Sequence, residues 1–242
     1  MFGACAPDPM LETLRETVLA ANRALDASGL VRLTWGNVSG IDRGRGLVAI
    51  KPSGVSYAAL RAEDIVIVAL ADGAVVEGRL RPSSDTPTHL ALYRAWPAVG
   101  GICHSHSRHA TMFAQAGRPL PCFGTTHADH FHGEVPLCRA LSAPEVASDY
   151  EGNTALAIIE HFREEKLDPV AMPAVLQAHH APFTWGSTPA AAVANSIALE
   201  MCAEMAIGAL ILHPMLTPLP AYLLDKHHQR KHGPGAYYGQ GE

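Results

Sequence analysis

Apolar positions along this chain change period several times, and each change marks an element. Between residues 9 and 29, Leu11, Leu14, Val18, Ala21 and Leu25 recur at three- and four-residue spacing, which predicts a helix with one apolar face. Asp8-Pro9 supplies its start and Gly29 its stop. From residue 33 to 76 the pattern shifts to short β-rich runs at 38–41, 47–50, 65–68 and 74–76, with Asp72-Gly73 turning a hairpin between the last two. Much of the resulting sheet should be antiparallel.

Helical periodicity then returns. Asp85-Thr86-Pro87 opens a helix that runs to about Trp96, where Pro97 stops it. The run Gly100-Gly101-Ile102-Cys103-His104-Ser105-His106 predicts a buried strand, and Ser107 begins a further helix. Ser142-x-x-Glu145 is a capping box, followed by helical periodicity with one break to about Lys166. Residues 174–178 form a buried strand. A long Ala-rich helix from about Pro189 to Leu212 and a charged one from Pro220 to about His232 close the pattern. No linker, internal repeat or low-complexity tract divides the chain, so residues 1–242 are expected to form one domain, a mixed sheet covered by helices on both faces.

Composition narrows the class. At 242 residues, 48% hydrophobic and a mean hydropathy of +0.08, a sizeable core is available. A formal charge of −5 without Lys/Arg clusters argues against a nucleic-acid partner. Cys5, Cys103, Cys122, Cys138 and Cys202 are scattered and lack a CxxC pair, which suggests a reducing cytoplasm rather than a disulfide framework. The first residues carry no basic start followed by an apolar core, and no uninterrupted 18-residue apolar run occurs, so neither export nor membrane insertion is expected.

The candidate chemistry lies at strand tips. Side chains on a strand repeat every two residues, so His104 and His106 should face the same way. The strand at 174–178 ends in His179-His180, and one of that pair can supply a third imidazole. Three imidazoles with an open position make a catalytic Zn²⁺ site, although imidazole also suits cobalt, nickel and copper. Two loops, Lys51-Pro52-Ser53-Gly54 and Arg81-Pro82-Ser83-Ser84-Asp85-Thr86, offer hydroxyls, free backbone N–H groups and, in the second, a helix N-terminus for a phosphate. Each is equally compatible with ordinary turn chemistry. Gly36-Asn37 could turn a hairpin or place an Asn on a ligand, and Asp129 suits proton transfer if it sits near the metal. The polar, aromatic C-terminal run through Tyr237-Tyr238 suggests docking, with a neighbouring subunit as one candidate surface.

Together Thr34-Trp35-Gly36-Asn37-Val38-Ser39, Lys51-Pro52-Ser53-Gly54, Pro82-Ser83-Ser84-Asp85-Thr86-Pro87-Thr88-His89, His104-Ser105-His106-Ser107-Arg108-His109 and Gly124-Thr125-Thr126-His127-Ala128-Asp129 resemble the L-ribulose-5-phosphate 4-epimerases of the class II aldolase superfamily. The likeness continues through Leu223-Leu224-Asp225-Lys226-His227 to Ala236-Tyr237-Tyr238. The resemblance implies a three-layer α/β/α fold and a homotetramer with sites shared between subunits. It also implies a small-molecule sugar phosphate as substrate. His104, His106 and His180 match the family's zinc ligands, and Asp85 a position next to the metal. Asn37, Lys51, Ser53, Gly54, Ser83 and Ser84 match substrate and phosphate positions, and Thr125, Glu151 and His227 match further active-site positions. Asp129 and Tyr238 match the two acid/base residues, the Tyr coming from the adjacent subunit. His130 stands where an aromatic residue is expected, which bears on the basicity of Asp129. Asp85 stands where the fuculose-phosphate aldolases of the same superfamily have Glu, which favours an epimerase over an aldolase or dehydratase. A zinc or sugar-phosphate binding protein without turnover is the non-enzymatic alternative.

Overall fold

The computed structural model describes residues 9–238. The start signal at Asp8, Cys5 and the last four residues lie outside them. Helix α1 (Pro9–Ala27) precedes a meander of β1 (Asn37–Asp42), β2 (Leu47–Ile50), β3 (Val66–Ala69) and β4 (Val75–Glu77), interrupted by one 3₁₀ turn (Ala62–Asp64). Helix α2 (Thr86–Ala95), strand β5 (Gly101–His104), and helices α3 (Arg108–Gln115) and α4 (Thr125–Ala128) follow. The remainder is β6 (Leu137–Cys138), α5 (Ala143–Glu164), β7 (Ala174–Gln177), β8 (Pro182–Gly186), α6 (Pro189–Leu212) and α7 (Ala221–His232).

The strands form one sheet in the order β4-β3-β2-β1-β5-β8-β7-β6. Only β6 and β7 pair in parallel; the other neighbours are antiparallel, as the closely spaced strand runs predict. Successive side chains of a strand point to opposite faces, and the core divides accordingly. Val48, Val66, Val68 and Ile102 pack with Leu90, Leu92 and Tyr93 of α2 and Ile158 and Phe162 of α5. Their chain neighbours Ala49 and Ile67 meet Val18 and Leu19 of α1, and Val38 and Cys103 meet Ala21 and Leu25 of α1 and Ala192 and Val193 of α6. The fold is thus three-layered, helices on both sides of a mixed sheet.

Two further predictions hold in detail. The capping box at Ser142 and Glu145 is formed, and α5 contains its one break, at Asp149, whose φ/ψ of −154°/86° is non-helical. Two are corrected. Strand β5 ends at His104, so His106 lies beyond it and owes its direction to the following loop rather than to strand alternation. Gly36-Asn37 is no hairpin: Asn37 opens β1 opposite His104, and Gly36, at φ 75°, lies where a Cβ would come within 2.7 Å of the His104 carbonyl oxygen. Strand β8 and the short β6 and α4 were not predicted. Helix α6 has the length and composition of a membrane span, and it lies across the sheet with Ala192, Leu199, Ala203 and Ala206 buried.

Candidate active site

Antiparallel pairing sets Asn37 of β1 and Phe183 of β8 on either side of His104. Phe183 stacks on the His104 ring at 4.2 Å between centroids. His104 Nδ1 lies 3.0 Å from the Pro182 carbonyl, to which it donates, leaving Nε2 as the free acceptor. His106 Nε2 sits 3.1 Å from that atom. His180, in the turn between β7 and β8, brings its ring to 4.9 Å from His104 and 5.0 Å from His106. One ligand atom from each of the three lies within 4.8 Å of the others. His179, at φ 62°, is exposed and takes no part.

Burial, reinforced by His104, pushes His106 down to about 4, and burial with both neighbouring imidazoles pushes His180 down to about 3. Neutral imidazoles are what a divalent transition metal needs. The His180 Nδ1 is also buried without a protein partner. Converging nitrogens, neutral donors and an unsatisfied buried atom fit a metal, with the three histidines as its holders. Among the described residues this is the one such group of donors, and Asp85 is not a member of it. Its carboxylate accepts from Asn37 Nδ2 at 2.6 Å and Ser83 Oγ at 3.4 Å. Burial pushes Asp85 up, but His104, His89, the Asn37 bond and His180 outweigh it and hold the carboxyl below its ordinary range.

The two serine loops run side by side, Ser53 N donating to Arg81 O at 3.0 Å and Ser83 N to Lys51 O at 3.1 Å. Lys51 is 1% exposed. Its ammonium has only long contacts to the Thr34 and Pro52 carbonyls, at 3.4 and 3.5 Å, and the Tyr57 ring at 4.8 Å. Desolvation lowers its pKa, and no carboxylate among the described residues pairs with it. Loops and histidines line one cavity of about 380 Å³, together with Asn37, Gly54, Ser84, Asp85 and Glu151. Thr34, Trp35 and Tyr150 also line it and were not predicted. The break at Asp149 turns Tyr150 and Glu151 into the cavity; Asp149 Oδ1 caps the resumed helix by accepting from Gly152 N. That Asp-x-x-Gly cap inside a helical stretch was the available signal.

Thr125, Asp129, His227 and Tyr238 do not line this cavity, so within one chain Asp129 does not meet the condition of lying beside the histidine cluster. Helix α7 packs on α4, and Asp129 accepts from Arg230 Nε at 3.0 Å, Arg230 Nη2 at 2.6 Å and His227 Nδ1 at 3.1 Å. The Arg230 guanidinium also lies 4.8 Å from the Tyr238 ring centre. Asp129, His227 and Tyr238 are thereby one group on one surface of one chain. Burial raises the Asp129 carboxyl, but Arg230 and His227 bring it below its ordinary range. His130 instead meets Lys231 Nζ at 3.3 Å, so Arg230, which sequence reasoning missed, governs the basicity of Asp129.

A three-layer α/β fold thus carries three converging imidazoles and two serine-bearing loops in one cavity. Residues 16–207 match the family described as the Class II Aldolase and Adducin N-terminal domain, and the chain belongs to that family. It is 52% identical to "L-ribulose-5-phosphate 4-epimerase UlaF" of Salmonella paratyphi B over 230 residues, covering 95% of this chain and all of that one. The Salmonella typhi protein of the same name is similar to the same degree over the same coverage. Among solved structures, an L-fuculose 1-phosphate aldolase superposes with a TM-score of 0.75 at 26% identity, covering 90% of this chain and 95% of its own.

Metal analysis tests the assignment of the donors. His104→Ala and His180→Ala should lose nearly all bound zinc, while His179→Ala should keep it. Stoichiometric zinc in both of the first two variants would overturn it.

Proposed function

We propose that this protein is a cytoplasmic L-ribulose-5-phosphate 4-epimerase, a single-domain homotetrameric enzyme that interconverts L-ribulose 5-phosphate and D-xylulose 5-phosphate. The observation that carries the reading is one cavity holding both the three-histidine cluster and the paired serine loops around an unpaired Lys51. The relatives that bear this activity in their names match over 95% of the chain.

Carbon 4 of the ketose bears no acidic proton, so it cannot be inverted by deprotonation and reprotonation. Its hydroxyl proton can be removed instead. The electron pair of the bond between carbons 3 and 4 then moves onto the ketone half, giving the enediolate of dihydroxyacetone and glycolaldehyde phosphate. Turning the aldehyde to present its other face and re-forming the bond yields the epimer once the new alkoxide is protonated. A divalent metal held by His104, His106 and His180, zinc first among those that suit imidazole, supplies a Lewis acid for the substrate oxygens when bound. Ser53, Ser83, Ser84 and the Gly54 backbone hold the phosphate, and Lys51 neutralises its charge. That grip keeps the aldehyde fragment from escaping, which separates an epimerase from an aldolase. Asn37, whose buried Oδ1 has no partner, accepts from a sugar hydroxyl. Ionised Asp85 holds Asn37 in place, and Glu151 contacts the substrate from the broken helix.

Asp129 and Tyr238 are the proton carriers in this reading, with Thr125 and His227 beside them, and they act in the cavity of a neighbouring subunit. Their separation from the cavity of their own chain supports that, as does an exposed apolar stripe on α6 formed by Ile197, Met201 and Met205. A cyclic tetramer closes such heterologous contacts.

The phosphate assignment predicts discrimination. A lost hydrogen bond to a charged group is worth roughly 1.5–3 kcal/mol, so Ser53→Ala, Ser83→Ala and Ser84→Ala should each weaken apparent affinity for L-ribulose 5-phosphate by about one to two orders of magnitude. Turnover of unphosphorylated L-ribulose should barely change, and equal losses on both substrates would refute the role. Subunit sharing predicts complementation. His106→Ala and Tyr238→Phe should each be nearly inactive, yet equal mixing into tetramers should restore about a quarter of the sites, because half supply an intact histidine cluster and half of those face an intact Tyr238. Asp129→Asn mixed with Tyr238→Phe should restore nothing, since both residues come from the same surface. Recovery in that second mixture, or none in the first, would contradict the arrangement.

A further inference from the structure

His106 is the histidine of the cluster that no strand holds. Beyond His104 the chain leaves the sheet, and the Ser105 N–H reaches the Pro182 carbonyl only at 3.5 Å. Ser107 sits at the N-cap of α3 but makes no capping bond, and its Oγ is buried without a partner. The cap comes from α6. Glu200 accepts from the His109 backbone N–H at 3.0 Å through both oxygens, from Ala110 N–H at 3.0 Å and from His109 Nδ1 at 2.9 Å. One turn earlier, Ser196 Oγ lies 3.3 Å from Ser105 Oγ. The same helix is bonded to the strand that follows His180: Asn195 Nδ2 donates to Trp185 O at 2.7 Å, and Thr184 Oγ1 to Ala192 O at 2.9 Å.

A carboxylate is well suited to the first turn of α3, where unpaired N–H groups and the helix dipole favour negative charge. Its position is what matters for the site. Ser105 and the 109–110 backbone bracket His106, and both brackets are fastened to one rigid helix that also fastens β8.

We propose that Glu200, supported by Ser196, is a positioning residue for the metal centre: it fixes the loop at 105–110 so that His106 meets His104 and His180 at coordinating distance, and so sets the affinity of the site for a divalent metal. This rests on the reading of the three histidines as metal holders, and it concerns metal affinity alone, whatever the sugar substrate.

The test is zinc competition between the apo-tetramer and a chromogenic chelator, with no sugar present, well below the melting temperature. Groups that orient metal ligands typically matter ten- to a hundredfold in affinity, so Glu200→Ala should weaken zinc binding at least tenfold. Glu200→Gln, which keeps one carbonyl acceptor and the side-chain volume, should weaken it less but in the same direction, and it keeps the test readable if Glu200→Ala fails to fold. Leu60→Ala, in the separate apolar cluster beneath α1, should lower the melting temperature and leave zinc affinity unchanged. Wild-type zinc affinity in Glu200→Gln, or a loss in Leu60→Ala as large as that in the Glu200 variants, would overturn the proposal. The second outcome would show that affinity only follows stability.

Discussion

Three imidazoles must be held in contact before any other part of this site is useful. Burial and the neighbouring imidazoles disfavour the charged forms of His106 and His180, and the cost of desolvating such polar rings is recovered only if each is oriented by a partner or takes up a ligand. His104 has its carbonyl partner in Pro182 and a stacking partner in Phe183. Both residues belong to β8, the strand entered directly from the turn that carries His180. One antiparallel pairing, β5 with β8, therefore fixes two of the three rings at once, and Gly36 is small because the chain entering β1 passes close to the His104 backbone carbonyl.

Charge is partitioned between two surfaces. On the cavity side stand an Asp85 held below its ordinary range beside the histidine cluster and a buried Lys51 that pairs with no carboxylate among the described residues, an arrangement that favours an incoming anion near the serines. On the other surface Asp129 is satisfied by Arg230 and His227. A carboxylate so paired is a weaker base than a free one, and Arg230 reaches Tyr238 as well. The pairing holds Asp129 and Tyr238 together on one surface of the chain.

Local signals made most of this legible. The apolar periods, the capping box, the helix break and the Asp72-Gly73 turn each act within a few residues, and the elements they announce are where they announce them. Strand β8 escaped because Pro182 at its first residue reads as an interruption, although a proline is tolerated there. His106 was placed in the right cluster by the wrong reasoning, since alternation stops at His104. The cavity-lining residues around the loops were recognisable from their hydroxyls, whereas Tyr150 needed the geometry of the break. Arg230 and Glu200 gave no signal at all, because their partners are about a hundred residues away in the chain, and only the packing of α7 on α4 and of α6 on α3 brings them together.

The central claim is that the configuration at carbon 4 changes by opening the bond to carbon 3. L-Ribulose 5-phosphate carrying deuterium at carbon 4 and ¹³C at carbons 3 and 4 reads this out in one experiment. The account predicts that the product keeps its carbon 4 deuterium in full and that turnover shows a normal ¹³C isotope effect at both carbons. Loss of that deuterium to solvent, or epimerisation with no ¹³C effect at carbon 3, would contradict it.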